Sequence, residues 1–368
     1  MKQEYDVVIF GGGPAGSTLA ISLCKLGYSV ALIEKSSYET VRIGETLMPE
    51  IYPVLSRLGI KEDFLQEEHS PFYAVQSAWG KDDLYTNDFI LSPYGNGWQI
   101  NRKKFDYMLA EKATASGAIL YRDSKLQHIR KGQTNNEWEI QIVSAGQKQD
   151  ICARYIADAT GKKAVLSHQL GVKRKNYDHL IGAAVLFDTS NNQGSSQNLL
   201  IESSKNGWWY SALLPDNKLI VVYMTDADLY SKGNKKNKDY WELELKETMH
   251  TSKRVQPHFT RNGNWVFAAN SSIAENIEGS NWLPVGDAFM SFDPLSSRGI
   301  SAAMCSGIDG ADFISTYFHR GKYKKQEYFD SAREKYTHYL QLRRNYYLNE
   351  QRWHNCIFWE RRHKEVLI

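Results

Sequence analysis

The N-terminal third of the chain alternates between two hydrophobic rhythms. "YDVVIF" (5–10) is a short continuous apolar run that ends on three glycines, which reads as a buried strand. From Gly11 to Gly27 the chain turns and then runs at helical spacing, and "YSVALIEK" (28–35) is a second strand. Strand, helix and strand make a βαβ opening. "ETLMPEIYPVLSRLG" (45–59) has helical spacing broken by prolines, whereas 72–80 and 84–91 have strand character. The stretch 101–117 predicts a helix with Asn101 as its N-cap.

Three strands are expected at 125–132, 137–146 and 149–161, and more between 180 and 226. "SKGNKKNK" (231–238) offers no core-forming residue and reads as a loop. A helix is expected over 239–250, strands at 265–269 and 281–287, and a helix over 300–318. The remainder is helix-rich and basic, with Arg343, Arg344, Arg361 and Arg362 read as mostly solvated.

Composition narrows the class. A chain of 368 residues suggests two domains, or one large domain with an inserted lobe. A net charge of +3 is too small to indicate a nucleic-acid surface. No apolar run reaches membrane-spanning length, and the chain opens directly on a strand. Cys24, Cys152, Cys305 and Cys356 form no metal-ligand or C-x-x-C spacing. Reduced thiols and a cytoplasmic protein without a metal are therefore expected. The 10 Trp and 22 Tyr suit either a ring-lined site or an aromatic core.

Gly11, Gly13 and Gly16 form G-x-G-x-x-G between the first strand and helix, with Pro14 and Ala15 between. The first glycine allows a tight turn, the second a close approach to a pyrophosphate, and the third helix–strand packing. The phosphates would then meet free helix N–H groups. Glu34 ends the second strand where a ribose-binding acid belongs, which favours NAD or FAD over NADP.

Five motifs in order decide between these cofactors: "GGGPAGS" with Glu34, "RIGET" (42–46), "NRKKFDYML" (101–109), "ADATG" (157–161) and "VGDAFMSFDPLSSRGI" (285–300). Together they resemble the superfamily of flavoprotein monooxygenases and flavin-dependent halogenases, across essentially the whole chain. The resemblance implies FAD, and an α/β fold with a Rossmann-type domain like that of para-hydroxybenzoate hydroxylase. An interleaved antiparallel-sheet substrate domain and a helical C-terminus complete that fold. It implies an FAD-binding domain at 1–70, 98–175 and 262–320, a substrate domain at 71–97 and 176–261, and a C-terminal segment at 321–368. Glu34 would hold the adenosine ribose, Arg102 would lie near the FAD linker, and Asp287 would meet the ribityl or pyrophosphate region. Arg42, Asp158 and Gly161 would join this set. Pro294, Ser297, Gly299 and Ile300 would pass beside the flavin ring.

The halogenase branch carries P-L-E-S-T-G where this chain reads Pro294-Leu295-Ser296-Ser297-Arg298-Gly299. Its W-x-W-x-I-P pattern meets Tyr210 to Pro215, without either tryptophan. For its catalytic lysine, the nearest candidate here is Lys81. These departures favour hydroxylation. "NGWWYSALLPDNKLIVVYMTDADL" (206–229) and "LNEQRWHNCIFWERRH" (348–363) are further similar to flavoprotein maturases of cysteine-tryptophylquinone glycine and lysine oxidases. That likeness implies a tryptophan of a partner oxidase precursor as substrate. Two alternatives stay open: a small-molecule aromatic hydroxylase or halogenase, and a flavin-binding assembly factor without turnover.

Trp79, Trp208, Trp209 and Tyr210 are the candidate substrate-side rings, and could serve packing instead. Glu45 and Asp293 adjoin the motifs and are the candidate proton-handling groups, while His128 lies in a strand and reads as structural. With a single dinucleotide loop taken by FAD, an external electron donor or flavin reductase is expected.

Overall fold

The computed structural model describes residues 3–364, apart from 133–136, 190–195, 280 and 321–324. The βαβ opening is present as Gln3–Phe10, the helix Pro14–Lys25 and Val30–Ile33. The two strands pair in parallel, and Gln3–Phe10 also pairs in parallel with the long strand Gln147–Asp158. Val30–Ile33 is buried at all four positions, as a parallel strand covered on both faces must be. Ile119–Tyr121 closes one edge of this sheet, and Trp138–Ser144 and Ser124–Lys131 extend it antiparallel at the other. Trp282–Pro284 runs parallel beside 156–158.

The helix Pro14–Lys25 packs against Gly299–Arg320. A Cβ at Gly307 would lie 2.5 Å from the Ala15 carbonyl oxygen, so only glycine allows the two helices to approach this closely. That contact brings the start of the second helix beside the glycine loop.

A second sheet runs in the order Thr260–Ala268, Leu180–Asp188, Lys218–Asp226, Gly207–Leu214, Leu199–Ser204, Ala74–Ala78 and Tyr85–Asp88. Thr260–Ala268 thus joins this sheet, although the expected boundary put 262 onward in the FAD-binding part. Side chains alternate across the sheet. Trp208, Met224 and Leu199 share a cluster on one face, while Trp209, Tyr223 and Val221 share another with Trp241 on the opposite face. A small sheet of Thr46–Leu47, Gly97–Gln99 and Ser70–Phe72 touches the second sheet at Gly207–Leu214.

Residues 231–236 are not a loop but the end of a helix, Ala227–Lys236. Arg361 clamps its first turn through Asp228 at 2.7 and 2.9 Å, and Gly233 leaves room for the Tyr240 ring, which a Cβ would meet at 2.3 Å. The expected helix over 239–250 splits into Tyr240–Lys246 and Thr251–Arg254, because the buried Glu202 carboxylate takes the N–H groups of Met249, His250 and Thr251 at the break. Arg343 and Arg362 are not solvated. Each is 4% exposed, paired with Asp178 and Asp226 respectively. No helix among the described residues is long and apolar enough to cross a membrane.

Candidate functional site

The glycine loop is shaped by contacts that exclude any side chain. Gly11 has φ +105°, and a Cβ there would stand 2.2 Å from the Ala159 carbonyl oxygen. A Cβ at Gly16 would fall 1.8 Å from the Gly11 carbonyl oxygen, so this glycine serves helix–loop packing. Gly13 differs: a Cβ there would have only Arg42 Nη1 nearby, at 3.7 Å, and would project into open space. Gly13 caps the helix with no side-chain hydrogen bond, so the first-turn N–H groups and the positive helix end are left for a ligand.

Glu34 is buried and held from several sides. It accepts from the Gly12 N–H at 2.7 Å, from the Ser36 N–H and hydroxyl at 3.0 and 2.6 Å, and from Arg42 at 3.1 Å. Arg42 also reaches Asp106 at 2.8 Å, and Arg102 grips the same carboxylate with two nitrogens at 3.1 and 3.0 Å. Arg102 donates further to the carbonyls of Ile43 and Gly44. Asp106 therefore locks both expected cofactor arginines, and sequence reading missed it. Its signal was the i,i+4 spacing from Arg102 on one helix face.

The later motifs converge on the same space. The first turn of Gly299–Arg320 opens beside Pro294, Ser297, Gly299 and Ile300. A Cβ at Gly299 or Gly161 would meet no atom within 4 Å. Asp287 faces the cavity; burial pushes its carboxyl up, while Lys162, Arg174 and Arg102 draw it back. Asp158 departs from expectation. It is fully buried, and Thr160 and Ser167 saturate it: one oxygen takes the N–H and hydroxyl of Thr160, the other those of Ser167. It braces the turn after its strand rather than presenting an oxygen to a ligand.

Most of these groups border one cavity of about 790 Å³ with two halves, while Asp106 and Asp158 lie outside its lining. The first half runs from Gly11, Gly13, Pro14, Ala15 and Glu34 past Arg42 and Arg102 to Asp287 and the 294–300 turn. The second half is walled by Leu199, Ile201, Trp208, Tyr210, Met224 and Phe267 of the second sheet. Of the expected rings, Trp208 and Tyr210 line it. Trp209 does not: strand alternation puts it on the far face, stacked on Tyr223 at 4.5 Å. Trp79 is also outside, with its indole N–H on the Tyr346 carbonyl and its ring edge-on to Trp208 and Trp359. Lys81 is an exposed residue in the turn after Ala74–Ala78, away from the cavity lining. His128 is exposed on its strand.

Glu45 and Asp293 both border the cavity between its halves. Glu45 is 5% exposed, and burial raises its carboxyl to about 7, against the pull of the Gly44 N–H and Arg102. The small sheet places it: Thr46 and Leu47 pair with Gln99 and Trp98, and the Ile100 N–H donates to the Glu45 carbonyl. Tyr210 lies near enough that the Glu45 charge, after burial, helps to raise its phenol. A buried carboxyl poised near neutrality beside an aromatic wall can exchange a proton with a ring bound there.

The first half fits an extended dinucleotide. Gly13, Gly161 and Gly299 leave open the space that a Cβ would take, and two helix N-termini and two arginines face it. A family model for FAD-binding domains matches residues 4–308. The chain is 31% identical to LodB of Marinomonas mediterranea, named as an FAD-dependent oxidoreductase, over 98% of this chain and 97% of LodB. It is 25% identical to a Pseudomonas fluorescens chlorinase of pyrrole-2-carbonyl peptidyl carrier protein, over 93% of this chain and 81% of that enzyme. Its fold matches that of QhpG, a peptidyl tryptophan dihydroxylase essential for tryptophylquinone cofactor biogenesis. There the TM-score is 0.80 at 20% identity, over 98% of this chain and 78% of the other.

Proposed function

The chain belongs to the family of FAD-binding flavin-dependent oxidoreductases, and from that premise we propose that it hydroxylates a tryptophan side chain carried by a partner protein. The partner would be the precursor of a quinone-cofactor amine oxidase, met in the cytoplasm, and electrons would come from an external donor or flavin reductase. One observation carries this reading. Among the described residues, none that the second sheet contributes to the cavity wall is charged. A free amino acid would bring an ammonium and a carboxylate against this wall, which partners neither; the nearest charged groups, Glu45 and Asp293, stand between the halves. An indole attached to a polypeptide brings neither.

FAD, when bound, supplies the electrons and the activation of dioxygen. The chain does the rest. Glu34, Arg42, Arg102 and the two helix N-termini would hold the cofactor. Trp208 and Tyr210 would orient the substrate ring edge-on or offset. Leu199, Ile201, Met224 and Phe267 keep water away from it. Glu45, as a carboxylate, would take the proton that the ring loses on oxygenation.

The likeness to a chlorinase supports halogenation as a second reading. Of the described cavity lysines, Lys35, Lys125 and Lys162, none lies on the aromatic wall. To separate the readings, the precursor is co-expressed with and without this chain and its tryptophan peptide weighed. A gain by added oxygen is expected. An unchanged precursor mass would sink the proposal, and bromide incorporation into free tryptophan would favour the alternative.

A further inference from the structure

The long C-terminal helix Lys325–Leu348 lays one polar face along residues 291–293. Tyr336, Tyr339, Arg343 and Tyr347 follow at steps of three and four, which puts them on one side of a helix. The Tyr336 hydroxyl donates to the Ser291 carbonyl at 3.0 Å, and the Asp293 N–H donates to the Tyr339 hydroxyl at 2.6 Å. Tyr347, 1% exposed, makes two contacts through its oxygen. It lies 3.0 Å from Trp208 Nε1 and 2.8 Å from Asp293 Oδ2.

The direction of this chain of bonds is fixed by chemistry. An indole N–H can only donate, so Tyr347 accepts from Trp208 and spends its own proton on Asp293. The other carboxyl oxygen, Oδ1, accepts from the Leu295 N–H at 2.9 Å. Both oxygens of Asp293 are therefore acceptors, which is the arrangement of a carboxylate. Asp293 and Trp208 both border the same cavity, joined through this one phenol oxygen.

We propose that Tyr347 is a positioning residue that ties the aromatic wall to the turn beside the flavin, and that it holds Asp293 as a carboxylate there. The inference rests on the chain binding FAD, and not on the identity of the substrate. Asp293 is faced by Arg343, Tyr339 and Tyr347 from the C-terminal helix, by Asp178 from the segment before Leu180–Asp188, and by Lys162 from the turn after Gln147–Asp158. Burial pushes its carboxyl up and Asp178 adds to this, whereas Arg343, the Leu295 N–H and Tyr347 hold it down. Loss of the phenol proton must raise it further.

The test is an acid-side pH titration of the flavin absorbance of the FAD-loaded protein, with no substrate present. The parent should show a step as Asp293 protonates. Tyr347→Phe keeps the ring and should move that midpoint to higher pH. Trp208→Phe removes the bond into the phenol and should move it the same way by less, so the idea stays testable if Tyr347→Phe does not fold. Tyr336→Phe deletes a hydroxyl from the same helix face without touching Asp293 and should leave the midpoint in place. A midpoint unmoved in Tyr347→Phe, a parent without any step, or an equal shift in Tyr336→Phe would overturn the proposal.

Discussion

Glutamine in place of Glu45 is expected to lower turnover by roughly 10²–10⁴-fold while FAD stays bound, the usual range for loss of a positioned proton acceptor. The glutamine keeps the side-chain oxygen that accepts the Gly44 N–H at 2.9 Å, so local structure should survive. The pH profile gives the sharper readout. In the parent the rate should rise as Glu45 ionises, through about pH 7. In the variant that rise should vanish.

Stability should change in step. The Glu45 carboxyl is raised from 4.5 to about 7 in the folded chain, so between those values the folded state binds more protons than the unfolded one. Its contribution is full below 4.5 and lost as pH climbs through 7, amounting to roughly 3 kcal/mol at about 1.4 kcal/mol per pH unit. The glutamine variant has no such loss. Relative to the parent, it should gain stability in denaturant titrations as pH rises across this window. Equal pH profiles for parent and variant would remove Glu45 from the proton-handling role.

In the glycine loop, two substitutions should separate fold from cofactor. Gly13→Val is expected to leave the protein folded but colourless. Its side chain would enter the open space before the helix N-terminus, where a Cβ meets nothing closer than Arg42 at 3.7 Å. Gly16→Ala is expected to cost both. Its Cβ would collide with the Gly11 carbonyl at 1.8 Å, and backbone cannot yield as a flexible side chain can. Flavin absorbance after gel filtration and the thermal midpoint check both variants. Gly13→Val that retains flavin at parental levels would show that the phosphates do not rest there.

Local chemistry explains what could be read in the sequence. The tight turn at Gly11, the acid at Glu34 and the proline-led turn at Pro294 each carry their signal within a few residues, so the loop, the second strand and that turn were legible. Residues whose role depends on distant partners were not. Arg343 and Arg362 look like surface charge until Asp178 and Asp226, 165 and 136 residues away, come beside them. Asp158 sits in a flavoprotein motif, yet Ser167, nine residues on, turns its carboxylate inward.

Trp208, Trp209 and Tyr210 show the limit in another way. Alternation predicts that the middle ring opposes its neighbours, but not which face meets the cavity. The packing decides: Trp209 joins Tyr223 and Trp241, leaving Trp208 and Tyr210 to the site. The stretch 231–236 was misread because its helix is secured by Arg361 and Tyr240, which lie outside it.

Isotopically labelled dioxygen shows directly whether the chain oxygenates a protein-borne tryptophan. The FAD-loaded protein, supplied with an electron donor, is given a tryptophan-bearing oxidase precursor in one reaction and free tryptophan in another. Label is expected in the precursor's tryptophan and little or none in the free amino acid, whose two charges find no partner on the aromatic wall and would have to reach past it to the charged groups beside the first half of the cavity. Label in free tryptophan at an equal or greater rate, or none in the precursor, would contradict that expectation.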